Sequence, residues 1–372
     1  MRIGNKDIGH DHPPYIIAEL GVNHDGSVER ALELTDAAAE AGADAIKLQL
    51  FEADRLMSKA AKLAAYQKAA GESDPVAMLR RLELSVDQMR PIVARAHERG
   101  IHAIVTVFSV ELVDDAERLP WDAYKTASPD MVHKPLLERL MRTGKPLIVS
   151  TGASTMEEVE RAVGWLKPAH DRLAFLQCVS SYPAPKEHAE LGGIGAIQQV
   201  FHGPVGYSDH IRTHDSSAWA VAAGACILEK HLTYDRHAQG PDHAASLVPW
   251  MMQRYVEFAP TGMTAREFFG PRDASDEVRA GDAYAIRKLG RMAYVPPIKR
   301  VLDVERDVRT VSRQSLTTTR DLPAGHMLTK ADITFKRPGT GLLPFELDRA
   351  IGQRLARSIE ADMPLMEADL AR

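Results

Sequence analysis

Two textures of hydrophobic and polar positions alternate along the first 250 residues. Short apolar runs rich in β-branched and aromatic residues read as eight strands: Tyr15–Val22, Ala45–Phe51, His102–Phe108, Ala123–Ser128, Pro146–Thr151, Leu173–Val179, Pro204–Asp209 and Cys226–Thr233. Between them, apolar residues recur at helical spacing, as in Val28–Ala41, Val86–Arg99, Lys134–Thr143, Thr155–Trp165 and His214–Ala223. Ser27, Ser85 and Ser154 stand where helix N-caps belong, and Gly42, Gly100 and Gly144 where a left-handed C-cap favours glycine. Strands that alternate with helices pair in parallel through right-handed crossovers. Eight of them, in roughly 250 residues, predict a closed (β/α)8 TIM barrel. The rival is an open doubly wound sheet, which often carries a GxGxxG first turn. Here that turn is Gly21-Val22-Asn23-His24-Asp25-Gly26, without the pattern.

The regularity fades after Pro249, where Ala259-Pro260-Thr261-Gly262, Phe269-Gly270-Pro271-Arg272 and Val295-Pro296-Pro297 interrupt it. These read as the last barrel helix and a linker with some helix in it. From Ser312 short β-like pieces follow, with an internal echo: Leu322-Pro323-Ala324-Gly325 through Asp332-Ile333 matches Ile359-Glu360-Ala361-Asp362 through Asp369-Leu370. The expected organisation is a catalytic barrel over 1–280, a linker over 281–311 and a small pseudo-symmetric β domain over 312–372. A domain of that size is marginal alone and is expected to dock on something.

Composition narrows the class. The 372 residues carry 46 Lys+Arg against 51 Asp+Glu, a net charge of -5, with no Lys/Arg run longer than two. That argues against a nucleic-acid partner, which needs a concentrated basic face. With 45% hydrophobic and 26% charged residues the chain is not dominated by disorder. Cys178 and Cys226 cannot build a disulfide framework and read as reduced core thiols of a cytoplasmic protein. The first fourteen residues lack a signal-like apolar core, and the longest apolar run, Trp219 to Leu228, is about half a membrane span.

A TIM barrel carries its active site at the C-terminal ends of its strands. Taken strand by strand, those ends offer Glu19 and Asn23; Lys47 and Gln49; Thr106; Lys125 and Ser128; Ser150-Thr151-Gly152; Ser180-Ser181-Tyr182; Ser208-Asp209-His210; and Glu229-Lys230-His231. Alternation along a strand puts Lys47 with Gln49, and Glu229 with His231, on one face. Any one of these residues alone is more commonly a solvated lysine or a hydrogen-bonded core histidine. Their coincidence at all eight ends makes a convergent charged cup the leading site. The lysines, the hydroxyls of Thr106, Ser128, Ser150 and Ser208, and Gly152, read as opening a helix N-terminus, suit a small phosphorylated anion. His210 and His231, read at matching heights on neighbouring strands near Glu19, Glu229 and Asp242, suit a divalent transition metal with open water positions.

At this point the motifs resemble the sialic acid (N-acetylneuraminate) synthase family. The resemblance rests on Ile17-Ala18-Glu19-Leu20-Gly21-Val22-Asn23-His24-Asp25-Gly26, Ile46-Lys47-Leu48-Gln49-Leu50-Phe51, Tyr124-Lys125-Thr126-Ala127-Ser128, Gly206-Tyr207-Ser208-Asp209-His210, Glu229-Lys230-His231-Leu232-Thr233 and Gly240-Pro241-Asp242-His243. Lys336-Arg337-Pro338-Gly339-Thr340-Gly341 is similar to the family's antifreeze-like (SAF) tail. The resemblance implies condensation of phosphoenolpyruvate with an open-chain N-acyl mannosamine-type sugar and water, giving a sialic acid and phosphate. It implies that Lys47, Thr106, Lys125, Ser128, Ser150, Ser180 and Ser208 hold phosphoenolpyruvate, and that Gln49, Tyr182 and Asp242 face the sugar. By the same resemblance His210 and His231 ligate Mn2+ or Mg2+, Glu19 handles the attacking water with Glu229 in support, and Arg337 reaches into a partner's barrel in a domain-swapped homodimer. Ser180 stands where many relatives have Asn, and Ala153 where Met is common. N-acetylneuraminate is the expected product, with a legionaminic- or pseudaminic-type acid as the alternative. Two other classes compete: a metal-dependent aldolase using free pyruvate, and a non-catalytic binding protein whose tail carries the function.

Overall fold

A computed structural model describes residues 1–269 and 296–371. Eight parallel strands close into a barrel: β1 (Tyr15–Glu19), β2 (Ala45–Leu50), β3 (His102–Val107), β4 (Ala123–Thr126), β5 (Leu147–Ser150), β6 (Leu173–Cys178), β7 (Val205–Asp209) and β8 (Ile227–His231), with β8 pairing back onto β1. The period of two along each strand sorts its residues into two cores. Ile16, Ile46, Val105, Val149, Phe175 and Leu228 point outward into the large cluster shared with the helices. Ile17, Ala45, Ile104, Ala123, Ile148, Ala174 and Ile227 point inward and fill the lower barrel, joined there by Ile3 and Ile8 from the N-terminal hairpin. The inward positions above that apolar layer are the polar residues expected at the mouth.

The helices that position the site are α1 (Val28–Glu40), α2 (Pro75–Leu82), α3 (Val86–Glu98), α4 (Lys134–Met141), α5 (Met156–Leu166), α6 (Gly192–Val200), α7 (Ser216–Ala222), α8 (Pro249–Phe269) and α9 (Arg306–Ser312). Ser27 and Ser85 cap α1 and α3 by accepting from the N–H groups of Arg30 and Gln88, and Gly42, Gly100 and Gly144 take positive φ. Ser154 is not a cap. Thr155 caps α5, because only from that position does the third helical residue, Glu158, reach back to complete a reciprocal pair. Helix α5 therefore begins at Met156, and Gly152 does not open it; its N–H donates instead to Ser128 Oγ at 3.0 Å. Ala259-Pro260-Thr261-Gly262, read as a break, lies inside α8, where burial of Tyr255 and Ala259 holds the helix together. The turns read at Gly270-Pro271-Arg272 and Val295, and the 281–295 part of the linker, lie outside the described residues.

The tail pairs β9 (Ser315–Thr318) with β10 (Ile333–Lys336) around Leu316, Leu322, Leu328, Leu355 and Leu365. Its sequence echo is a structural repeat. Leu322 and Ile359 exchange both backbone hydrogen bonds, at 2.8 and 2.9 Å. Asp332 and Asp369 each accept from the backbone N–H three residues upstream, and each pairs with an arginine twelve residues upstream, Arg320 and Arg357. The expected docking is onto the barrel. Arg337 N–H donates to Leu56 O at 2.8 Å, Gln314 Nε2 donates to Phe108 O at 2.8 Å, and Glu158 takes bidentate ion pairs from both Arg309 and Arg313. Among the described residues no helix is long and apolar enough to cross a membrane, and Cys178 and Cys226 are buried thiols outside any disulfide.

Candidate active site

Parallel register sets the height of each inward side chain. Glu19 lies beside Lys47, Thr106 beside Lys125, Ser208 beside Glu229, and His231 beside Glu19. Asp209 pairs with Lys230, so His210 follows level with His231; the ring centroids are 5.5 Å apart. One cavity at the mouth is lined by Glu19, Lys47, Gln49, Thr106, Lys125, Ser128, Ser180, Tyr182, Ser208, His210, Glu229, His231, Asp242 and Arg337. Of the residues expected to hold the ion and the two substrates, Ser150 alone does not line it and accepts instead from Ser128 Oγ at 2.9 Å; Asn23, offered at the end of β1, is hydrogen-bonded to Leu232 O and Ser246 Oγ.

The charges compensate one another. Lys125 Nζ is 3.0 Å from Glu229 Oε1; Lys47 contacts Glu19, donates to Thr106 Oγ1 at 3.1 Å and lies 3.9 Å from Glu229. All four side chains are buried, and unpaired ions there would cost several kcal/mol each. Burial raises Glu229, but Lys125 and then Lys47 outweigh it and hold the carboxyl below its ordinary value. Burial pushes Asp242 up to about 6, against the opposing pull of His210, His243 and Lys47. His231 is driven well below 6.5 by burial and then by His210, so it is a neutral imidazole. The hydroxyl side of the cup is tight. A Cβ on Gly152 would lie 2.3 Å from Ser180 Oγ and 2.7 Å from Ser128 Oγ, so only glycine fits.

The two histidines fit a divalent ion. His210 Nδ1 lies 2.8 Å from the Val179 carbonyl, which leaves Nε2 as its lone-pair nitrogen. His231 Nδ1 is buried without a hydrogen-bond partner and 3.8 Å from the Asp242 carboxylate. Among the described residues no group of three His, Cys, Asp or Glu is spaced as a metal cluster, so substrate and water would complete the shell.

Lys230, between Glu229 and His231 in sequence, points the other way. It pairs with Asp209 at 3.1 Å under the helices, with Tyr255 beside it. Arg337, expected in a partner's barrel, lies within this one chain over its own Phe108 ring, 5.5 Å from the centroid, with its Nε unpartnered. Several lining residues escaped the sequence reading. Tyr66 stacks on Tyr182 at 4.9 Å, Gln67 stands beside it, and Leu56, Met78, Leu79 and Leu82 form an apolar wall. Met78, Leu79 and Leu82 do carry a helical spacing in α2, but nothing in their pattern says that they face a mouth rather than a core. Asp130, buried below Arg337 and bonded to Gln314, was also missed; burial pushes it up to about 7.

Comparisons with known proteins agree with this architecture. The NeuB family model matches residues 34–265 and the SAF domain model residues 313–371. The chain is 35% identical to the N,N'-diacetyllegionaminic acid synthase of Legionella pneumophila, over 98% of this chain and 96% of that one. It is 30% identical to the N-acetylneuraminate-9-phosphate synthase of Mus musculus, over 97% and 93%. The crystal structure of the Bacillus subtilis spore coat polysaccharide biosynthesis protein spsE superposes with a TM-score of 0.80 at 28% identity, covering 100% of this chain and 99% of that one. A charged barrel mouth closed by an SAF tail, with full-length matches of this kind, makes the chain an enzyme of the NeuB family, the sialic and nonulosonic acid synthases.

Proposed function

We propose that this enzyme condenses phosphoenolpyruvate with an open-chain N-acyl mannosamine-type aldehyde and water, releasing phosphate and a nonulosonic acid, N-acetylneuraminate in the first instance. The observation that carries the reading is the division of one cup into an anion side and a histidine side. Lys47 and Lys125, with Thr106, Ser128, Ser180 and Ser208, offer cations and hydroxyls to phosphate and carboxylate, and Ser150 supports Ser128 from behind. Their pairing with Glu19 and Glu229 keeps the lysines compensated until an anion arrives. Gln49, Tyr182, Asp242 and Arg337 surround the remaining space, where the acceptor sugar would lie.

Bond formation between two bound molecules gains most from holding them in near-attack geometry. The face of phosphoenolpyruvate must turn its enol carbon toward an aldehyde near His210 and His231. Held by those two imidazoles, Mn2+ or Mg2+ would polarise that aldehyde and orient water. Glu19, at the same height as His231, is placed to take the proton of the water that adds to the oxocarbenium carbon, and Glu229 fixes the lysines around it. Burial of the cup keeps out bulk water, so that the water that adds is the one Glu19 holds.

A second acceptor is favoured by one observation: the 35% identical Legionella relative is named for a di-N-acetylated product. A panel of N-acyl and di-N-acyl amino sugars with inorganic phosphate as readout decides between the acceptors, and a chelator arm tests the ion. The exchanged-tail homodimer is a further part of the proposal. The contacts that Arg337 and Gln314 make to their own barrel are of a kind that a second copy can supply.

A further inference from the structure

Glu305 lies outside the mouth, on the segment between barrel and tail, and its carboxylate is fully buried. Oε1 accepts two backbone hydrogen bonds, from Ala153 N–H at 2.7 Å and from Ser180 N–H at 2.8 Å. Oε2 accepts from Leu302 N–H at 2.9 Å, which closes the carboxylate's own short turn. Ala153 follows Gly152 at the end of β5, and Ser180 stands two residues past β6. One carboxylate thus ties the loop after β5 to the loop after β6; Gly152 on the first donates its N–H to Ser128 Oγ at 3.0 Å, and Ser180 stands on the second. The Ser180 hydroxyl is buried without a hydrogen-bond partner, as a group reserved for a ligand would be. A buried carboxylate next to an anion site would repel the anion were it not consumed by donors on the far side of the loops. Lys299 is buried on that side with its Nζ unpartnered; burial lowers its pKa, and the Glu305 carboxylate opposes that shift.

We propose that Glu305 is a positioning residue for the phosphate end of the site: it holds the β5 and β6 loops at the spacing that lets Ser128 and Ser180 engage phosphoenolpyruvate together. The proposal rests on the phosphoenolpyruvate reading above and extends it to the linker, making docking of the tail segment a condition for tight anion binding. Loss of two charge-assisted bonds to backbone N–H groups releases the loops at Ala153 and Ser180, the points nearest the anion side.

Steady-state phosphate release by the full chain tests this with Glu305→Gln and Glu305→Ala. Glu305→Gln keeps one acceptor oxygen and the shape of the side chain. The expected result is a KM for phosphoenolpyruvate raised about tenfold in Glu305→Ala and about threefold in Glu305→Gln. The KM for the acceptor sugar and kcat should stay within about twofold. Direct titration of phosphoenolpyruvate without acceptor should show the same weakening. A purely structural role would lower melting temperature and active fraction while leaving both KM values alone, and that result overturns the proposal, as does a parallel rise in both. A wild-type chain that releases no phosphate from phosphoenolpyruvate overturns the functional reading itself, and the proposal with it.

Discussion

The Lys125 ammonium on β4 meets the Glu229 carboxylate on β8, the strand diametrically across the barrel, at 3.0 Å. A contact spanning the whole mouth exists because the inward positions of both strands turn polar at the same height. Lys125→Met should lower kcat/KM for phosphoenolpyruvate by at least about a hundredfold. It should also destabilise by about 3–5 kcal/mol, because Glu229 is left with the more distant Lys47 as its ion-pair partner. The double variant Lys125→Met/Glu229→Gln should recover most of that stability and none of the activity. Denaturant melts and phosphate release measure the two effects separately, and recovery of activity in the double variant would remove Lys125 from the mechanism.

Lys230 gives the opposite contrast from the same strand. Its pairing with Asp209 lies outside the barrel wall. Lys230→Met should cost about 3–5 kcal/mol by stranding the aspartate. At temperatures where the variant is folded, kcat should stay within about threefold of the parent. A folded but inactive Lys230→Met would mean that the face of β8 is misassigned.

Two buried carboxylates at the tail junction should leave opposite signatures in stability against pH. Burial raises Glu158, but the guanidiniums of Arg313 and Arg309 outweigh it and bring it from 4.5 down to about 2. Its contribution is therefore complete above 4.5 and lost as pH falls from there through about 2. Asp130 is raised by burial from 3.8 to about 7. The folded state holds that proton more tightly, so its contribution is complete below 3.8 and declines as pH rises through about 7. Each unit of separation is worth about 1.4 kcal/mol. Unfolding free energies at pH 5 and pH 8 should differ less in Asp130→Asn than in the parent; an unchanged difference would contradict the assignment. Glu158→Gln should flatten the acid limb.

How the tail is shared between copies can be read from complementation. Lys125→Ala spoils the barrel and Arg337→Ala the tail. If tails are exchanged in a homodimer, co-expression of the two inactive chains should restore about a quarter of parental activity, from the one intact site in each mixed pair. A tail that serves only its own barrel, as the single chain has it, would restore none.

Most of the barrel could be read from the chain because it is a period-two pattern repeated eight times with glycine punctuation. Glu19, Lys47, Lys125, His210 and His231 could be placed at the mouth because they stand at predictable places on that pattern. Glu305, Asp130, Gln314 and Tyr66 were not, since they stand off the strand pattern, on short helical turns and in the linker. Their burial exists only once the tail sits on the barrel, and no local periodicity encodes it. Thr155 displaced Ser154 as a cap for a local reason that the sequence did hold, the position of Glu158. Ser150 stands on the inward face as read, but its hydroxyl is taken up by Ser128 Oγ, a pairing between neighbouring strand ends that no local pattern encodes.

The central claim is one reaction in one cup, and phosphate release in the presence of Mn2+ tests it most directly. The enzyme is mixed with phosphoenolpyruvate and N-acetylmannosamine or its di-N-acetyl analogue, and inorganic phosphate and 2-keto acid are counted together. Equal amounts of both are expected, dependent on acceptor, abolished by chelator and by His231→Ala, with free pyruvate inert. Product formed from free pyruvate, or no phosphate with any N-acyl acceptor, would contradict the account.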